Sequence, residues 1–402
     1  MLYAGIDIAK RDHVIGVTDD RGRALSKPMA FKNSAAGFER CAAFLAGLAD
    51  DASDVLVGME ATGHYWLACF CFLKDRGYDV AVINPLQTDA MRRFKNLGKV
   101  KTDAVDCGII ADTLRCGGFE PSRLADEKMV SLRQMTRLHQ AMTGNVADLK
   151  RQVIAALDQV FPEYERLFSD TFGETSKAFL RRCPTPEECA GIDVRTLADL
   201  LDEASHGKLG SEKAREIKDA AKGSCGITLA SGTFSFQIKL LARQIEFIEG
   251  QMAEVESKVK ALLDEVEPLI LTIPGISYRL GAQIVSEIGD VGRFKNAAAI
   301  VKYAGINPSK NQSGAFEGEA NHITKQGSPY LRRALYLAAM SQLKTHGPLC
   351  DYYAKKRSEG KAHREALVAV ARKLVHVVYA VLSKQEPYDP RHGAEKTADT
   401  TL

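Results

Sequence analysis

The N-terminal part of the chain alternates short apolar runs with stretches of helical periodicity. Residues 2–8 read as a buried strand running into Asp7-Ile8-Ala9-Lys10, and His13-Val14-Ile15-Gly16-Val17-Thr18 as a second. Asp19-Asp20-Arg21-Gly22 is a turn signal, and a third strand at about 23–32 completes a meander. Asn33-Ser34 caps a helix carrying Phe38, Cys41, Phe44 and Leu45. Asp54-Val55-Leu56-Val57-Gly58-Met59-Glu60 is an apolar run that ends on an acid, and Ala61-Thr62-Gly63 turns the chain into a helix near 64–77. A further strand, Asp79-Val80-Ala81-Val82-Ile83-Asn84, is stopped by Pro85. Past a basic run (Arg92, Arg93, Lys95, Lys99, Lys101), in which Arg92, Arg93, Lys99 and Lys101 are candidate nucleic-acid contacts, Thr102 is an N-cap for a helix with Val105, Ile109, Ile110 and Leu114 on its apolar face. Strands alternating with helices after a meander predict an α/β N-terminal domain over 1–124, a mixed sheet flanked by helices.

The remainder is mainly α in pattern. Residues 125–161 form a basic helical segment with Lys128, Arg133, Arg137, Lys150 and Arg151, which is either a solvated face or a stripe that tracks RNA or DNA phosphates. Residues 162–235 carry many Pro and Gly breakers and predict a small helical insertion with linkers. In the segment 236–267, Ile238, Leu241, Ile245, Ile248, Met252, Val255, Val259, Leu262 and Val266 alternate steps of three and four, a coiled-coil seam. Such a stripe pairs, either with the 126–157 helix as an antiparallel hairpin or with a second copy of the chain.

Residues 268–385 predict a helical C-terminal domain. Leu271-Thr272-Ile273-Pro274-Gly275-Ile276-Ser277, with a helix at 279–288 and Gly289, resembles a helix-hairpin-helix, whose turn offers backbone N–H groups to a phosphate; a plain helix–turn–helix connection fits as well. A helix at about 296–304 leads into a polar, flexible loop, 306–316, with Lys310 and Ser313. Ser328-Pro329 opens a helix with Arg332 and Arg333 one turn in, a placement suited to phosphates, as is nearby Lys325. A final amphipathic helix spans about 362–384, and 386–402 is polar and expected to be a flexible tail.

Composition adds limits. The chain has 402 residues, enough for several domains, with ordinary hydrophobic and charged fractions of 45% and 26%. A net charge of +3 excludes a polycation and permits local basic patches. Nine cysteines without metal-type spacing fit a reduced cytoplasmic protein. No signal peptide is visible, and no run of apolar residues is long enough for a membrane span.

The candidate chemistry lies in four acids. Asp7 and Glu60 end buried strands, where ligands gather in open α/β sheets. Asp103 and Asp106 share one face of a first helical turn, where they also complement the helix dipole. Each acid alone is explained by a local cap or an ion pair with Lys10 or Lys101. Together they fit hard oxygen ligands for Mg²⁺, with Mn²⁺ possible, as one or two ions for phosphoryl transfer.

Gly5-Ile6-Asp7-Ile8-Ala9-Lys10, Met59-Glu60-Ala61-Thr62-Gly63, Ile83-Asn84-Pro85 and Lys101-Thr102-Asp103-Ala104-Val105-Asp106 resemble, in this order, the insertion sequence 110 family of bacterial transposases. The N-terminal domain of that family is similar to the RuvC Holliday-junction resolvase, a relative of ribonuclease H. Tyr303-Ala304-Gly305-Ile306-Asn307-Pro308, Gln312-Ser313-Gly314, Ile323-Thr324-Lys325-Gln326-Gly327 and Leu331-Arg332-Arg333-Ala334-Leu335-Tyr336 resemble its C-terminal transposase domain. The resemblance implies that Ser313 is a nucleophile, ahead of Ser309 and Ser328. By composition alone it is an ordinary loop serine. It further implies a recombinase acting on donor and target DNA, guided by a structured bridge RNA, with a composite site joined across protomers of a dimer or tetramer. Two rivals stand beside this reading: a structure-selective nuclease that uses water, and a non-catalytic nucleic-acid-binding scaffold.

Overall fold

The computed structural model describes residues 1–60, 63–95, 102–117, 126–266, 268–309, 312–313, 316–317 and 322–390. The chain divides into two compact units, 1–124 and 125–402.

The first unit is built on five strands, β1 (Leu2–Asp7), β2 (Asp12–Thr18), β3 (Met29–Lys32), β4 (Val55–Glu60) and β5 (Asp79–Ile83), in the order β3-β2-β1-β4-β5. The meander β1–β3 is antiparallel, while β1, β4 and β5 run parallel. This is the expected mixed sheet. The third strand is shorter than expected, because Ala24 forms an isolated bridge to Thr18 and pairing resumes at Met29. Helices α1 (Ala35–Ala46) and α2 (Trp66–Asp75) pack with the sheet around Ile6, Ile15, Phe38, Leu45, Val57, Phe70 and Leu73. Two further helices, α3 (Pro85–Phe94) and α4 (Asp103–Arg115), follow β5. Pro85 does stop the strand, but as the first residue of α3, where its missing N–H costs nothing.

Helix α4 crosses the sheet over a row of three glycines. Gly16, Gly5 and Gly58 are direct neighbours on β2, β1 and β4. A Cβ on Gly5 would lie 1.9 Å from the Cys107 carbonyl oxygen, one on Gly16 2.8 Å from Cys107 Sγ, and one on Gly58 2.7 Å from Leu114 Cδ1. The glycines therefore let the helix backbone settle against the strands, while Ile110 and Leu114 bury against Ala81 and Ile83.

The second unit is helical. A 34-residue helix α5 (Glu127–Val160) leads into α6 (Glu174–Arg182), α7 (Pro186–Gly191), α8 (Val194–Ser205) and α9 (Ser211–Lys222). The chain returns in α10 (Ser231–Asp264), also 34 residues long. The seam of α10 is used within the chain: Ile238, Leu241 and Ile245 bury with Val146, Val153 and Leu157 of α5, and Val259 buries with Leu132, with Val255, Leu262 and Val266 packed beside them. The intramolecular hairpin is thus the arrangement present. Residues 162–235, expected as a helical insertion with linkers, share this core through Phe179, Leu180, Leu197, Leu201, Ala214 and Ile217.

The C-terminal part adds α11 (Tyr278–Ile288), α12 (Ala297–Tyr303), short strands β6 (Gln312–Ser313) and β7 (Phe316–Glu317), α13 (Pro329–Gln342), α14 (Pro348–Ser358) and α15 (His363–Lys384). Helix α15 is long and apolar enough by composition to cross a membrane, but Leu367, Val370, Leu374, Val378 and Val381 form the centre of a core with α11, α12 and α13. The expected tail is held as far as it is described: the Tyr388 backbone N–H donates to Thr272 Oγ1 at 2.8 Å.

Candidate active site

The strand period explains why the acids lie where α4 begins. Side chains two apart share a face, so Gly5 and Asp7, and likewise Gly58 and Glu60, face the side on which α4 packs. Asp7 and Glu60 close two parallel neighbouring strands, and both are half-buried. Thr102 caps α4, its Oγ1 accepting from the Val105 N–H at 3.3 Å, and puts Asp103 and Asp106 in the first turn as expected. Asp103 is exposed, whereas Asp106 is buried. The Cys107 thiol is pushed up to about 11, chiefly by burial, with the carboxylates of Asp7 and Asp106 adding to the shift. One side chain thus feels acids from both the sheet and the helix.

Helix α3 supplies what the sequence analysis missed. Arg92 Nη2 donates to Asp106 Oδ1 at 2.6 Å, and Thr88 Oγ1 donates to Glu60 Oε2 at 3.3 Å. Lys95 pairs with the buried Asp112, which also faces Arg115 at 3.4 Å. The signal was present as Asn84-Pro85, a strand end followed by a proline suited to a helix start. Oxygen donors of this kind suit Mg²⁺ chemically. As positioned, no three acid, imidazole or thiol groups converge closely enough to hold an ion among the described residues, and the Arg92 guanidinium takes one oxygen of Asp106.

The described residues of the serine region pair as an antiparallel arm; the rest of the expected 306–316 loop lies outside the described residues. Its stem is a ladder in which Ser328 N–H donates to Tyr303 O at 2.8 Å, Lys325 N–H to Gly305 O at 3.0 Å, Thr324 N–H to Asn307 O at 3.0 Å and Ser309 N–H to His322 O at 2.7 Å. Further out, Gln312 pairs with Glu317 and Ser313 with Phe316. At the base, Arg332 Nη1 donates to the carbonyls of Ala304 and Lys325 at 3.1 and 3.2 Å. A Cβ on Gly327 would fall 2.1 Å from the Tyr303 carbonyl oxygen, so the base requires glycine. The two rival serines are engaged: Ser309 Oγ donates to His322 O at 2.9 Å, and Ser328 caps α13 while donating to Glu287 Oε2 at 2.8 Å.

Several basic residues expected at a nucleic-acid interface serve the fold. Arg133 Nε donates to the Ser286 carbonyl at 2.8 Å. Arg137 makes a two-point pair with the fully buried Glu287, at 2.7 and 3.1 Å, and stacks over Tyr330. Arg332 holds the arm, and Lys325 sits at its base with φ +55°. Arg93 and Arg333 are exposed. Lys99, Lys101 and Lys310 lie outside the described residues. His139, in the same stripe, meets Glu256 of α10 at 2.9 Å, and burial holds its pKa below the usual imidazole range.

A mixed sheet with acids gathered at the ends of its parallel strands, joined in one chain to a helical unit that presents an arm, fits an enzyme that processes nucleic acid. A DEDD-type model described as "Transposase" matches residues 4–162, and a model described as "Transposase IS116/IS110/IS902 family" matches residues 267–354. The chain is 26% identical to the Insertion element IS110 uncharacterized 43.6 kDa protein of Streptomyces coelicolor, over 98% of this chain and 96% of that one. It is 23% identical to the Mini-circle putative transposase for IS117 of the same species (98% and 96% covered), and 25% identical to the Pilin gene-inverting protein of Moraxella lacunata (97% and 98% covered). A solved structure of T. thermophilus RuvC in complex with Holliday junction substrate aligns with 30% of this chain and all of that one, at 15% identity and a TM-score of 0.24. The protein is thus a DNA-processing enzyme. It belongs to the IS110 family of transposases.

Proposed function

We propose that this chain is the recombinase of a bacterial insertion sequence, guided in the cytoplasm by a structured bridge RNA that pairs with donor and target DNA. The observation that carries the reading is the glycine row: it seats α4 so that Asp103 and Asp106 begin on the sheet face to which β1 and β4 deliver Asp7 and Glu60. These four acids would hold Mg²⁺ or Mn²⁺, which supplies Lewis-acid polarisation of the scissile phosphate. Arg92, which donates to Asp106 Oδ1, would meet the DNA backbone beside them.

Ser313 Oγ attacks phosphorus and loses its proton to solvent. The bond from phosphorus to the 3′ oxygen breaks, and that oxygen takes up a proton to become a free hydroxyl. A 3′-hydroxyl on the second DNA then attacks the phosphoserine and releases Ser313. The family resemblance implies a composite site, with the acids of one protomer and the serine of another brought together in a homodimer that pairs into a tetramer at synapsis. Base pairing by the guide reads sequence, leaving the protein to hold backbone and geometry.

The test is to purify the protein from cells carrying its element and sequence the RNA that comes with it. A defined species from noncoding sequence beside the gene is expected; none, or random cellular RNA, contradicts guidance. Asp103→Ala abolishes Mg²⁺-dependent strand cleavage on this account, and cleavage that persists removes the metal assignment.

A further inference from the structure

The second unit has a basic region that the acids and the serine arm do not use. Residues 348–384, comprising α14 and α15, carry eight Lys/Arg against three Asp/Glu, more net positive charge than the whole chain. Here α14, α15 and the segment 386–390 line an open-sided cavity of about 490 Å³. Its floor is apolar, with Leu349, Val377, Ala380 and Val381. Tyr352 comes from α14 and Tyr388 from the closing segment, which Thr272 pins. Lys373, His376 and Lys384 line it from α15. The ammonium groups of Lys356 and Lys373 lie 5.3 and 5.5 Å from the Tyr352 ring centroid. Burial, then Lys373 and Arg372, keep the His376 imidazole below its ordinary pKa.

This combination selects among ligands. An uncharged lipid or apolar peptide makes no use of Lys373 and Lys384, an anionic lipid headgroup would meet Glu386 and Asp389 as well, and a duplex is too wide for the cavity. A free polyanion would meet Glu386 and Asp389, which also line the site. A single nucleotide satisfies every part: its flat base stacks on tyrosine, its exocyclic amino group donates to a carboxylate, and its flanking phosphates meet lysines. The volume lies in the range of small-molecule pockets. We propose that this cavity takes one unstacked nucleotide of a bound nucleic-acid strand, the base against Tyr352 and Tyr388 and the phosphates on Lys373 and Lys384. The proposal rests on the protein's being a nucleic-acid enzyme, and is independent of the acids and of Ser313.

The test uses the full chain and hairpins that carry one bulged 2-aminopurine, in RNA and DNA versions, beside fully paired controls. The bulged hairpin is expected to bind about 5- to 100-fold more tightly than its control, with 2-aminopurine emission changing as the base stacks. Tyr388→Ala, near the chain end, and Tyr352→Leu abolish both effects while leaving binding of the paired control unchanged. Preference in either the RNA or the DNA version supports the proposal and identifies the strand. Equal binding of bulged and paired hairpins, or a preference that survives the double variant, overturns it and leaves the proposed function standing. Failure to bind any hairpin overturns both.

Discussion

The acids of the first unit and the serine of the second are held by different means. Asp7 and Glu60 end strands of a five-stranded sheet, and the helix bearing Asp103 and Asp106 lies against those strands at backbone distance. Ser313 stands on an arm whose position depends on a ladder of backbone hydrogen bonds, two glycines and one arginine at its base. The first arrangement fixes carboxylates through close packing, which tolerates little change in volume. The second sets the serine on a two-stranded element, which on its own is marginally stable. A group that must meet a site made elsewhere suits such an arm; ligands that must keep a fixed spacing suit the packed sheet.

The contrast can be broken most strongly at the glycine row. Gly5→Ala drives a methyl into the Cys107 carbonyl, and the helix must move; a loss of about 3 kcal/mol is expected in urea unfolding, with cleavage abolished. Gly16→Ala meets the Cys107 sulfur instead, so Cys107→Ala should restore most of its smaller loss in a double-mutant cycle. A Gly5→Ala protein of unchanged stability would refute the close-packing account.

Next in size is the tie between α5 and the base of the arm. Glu287→Ala leaves Arg137 and the Ser328 hydroxyl without their acceptor, and about 2–3 kcal/mol is expected because Arg137 is partly exposed. Arg332→Ala removes the donor to two carbonyls and should cost about 1–2 kcal/mol. Its effect on strand transfer is expected to exceed its effect on stability, since the arm loosens while the core remains. Equal stability loss with undiminished strand transfer would show that the arm needs no anchor.

The smallest effect concerns acid stability of the sheet unit. His13 is buried between Phe31 and Phe38, and burial lowers its pKa below 6.5. The unfolded chain therefore binds the proton first, so stability present above about pH 6.5 declines as the pH falls. His13→Phe should flatten that slope in pH-dependent thermal melts, and an unchanged slope would remove His13 as its source.

Much of the first unit was legible because its strands and caps are local signals. Gly-x-Asp at residues 5–7 and Gly-x-Glu at 58–60 end strands, and Thr102 caps the helix bearing the other two acids. The meaning of those glycines was hidden, because a row across three strands exists only once the register is known. Helix α3 was missed where Pro85 was read as a stop, and with it the Arg92–Asp106 pair. The basic residues of α5 were ambiguous for a different reason. Charge on a helix says nothing of its partner, and Glu287, which holds Arg137, lies far along the chain. The seam of α10 likewise announced a partner without naming it, and α5 fills that place. The arm escaped recognition because its polar sequence lacks strand alternation; its order comes from backbone pairing around Gly305 and Gly327.

In the proposed mechanism Ser313, working with the four acids, forms a covalent link to DNA. The most direct measurement is mass spectrometry of the adduct trapped on a nicked suicide substrate with Mg²⁺ and guide RNA. A nucleotide-modified peptide containing Ser313 is expected, lost in Ser313→Ala and in Asp106→Asn, with Asp106→Asn still folded by its melting curve. An adduct that survives Ser313→Ala, or cleavage by the wild-type protein with no adduct at all, would contradict it.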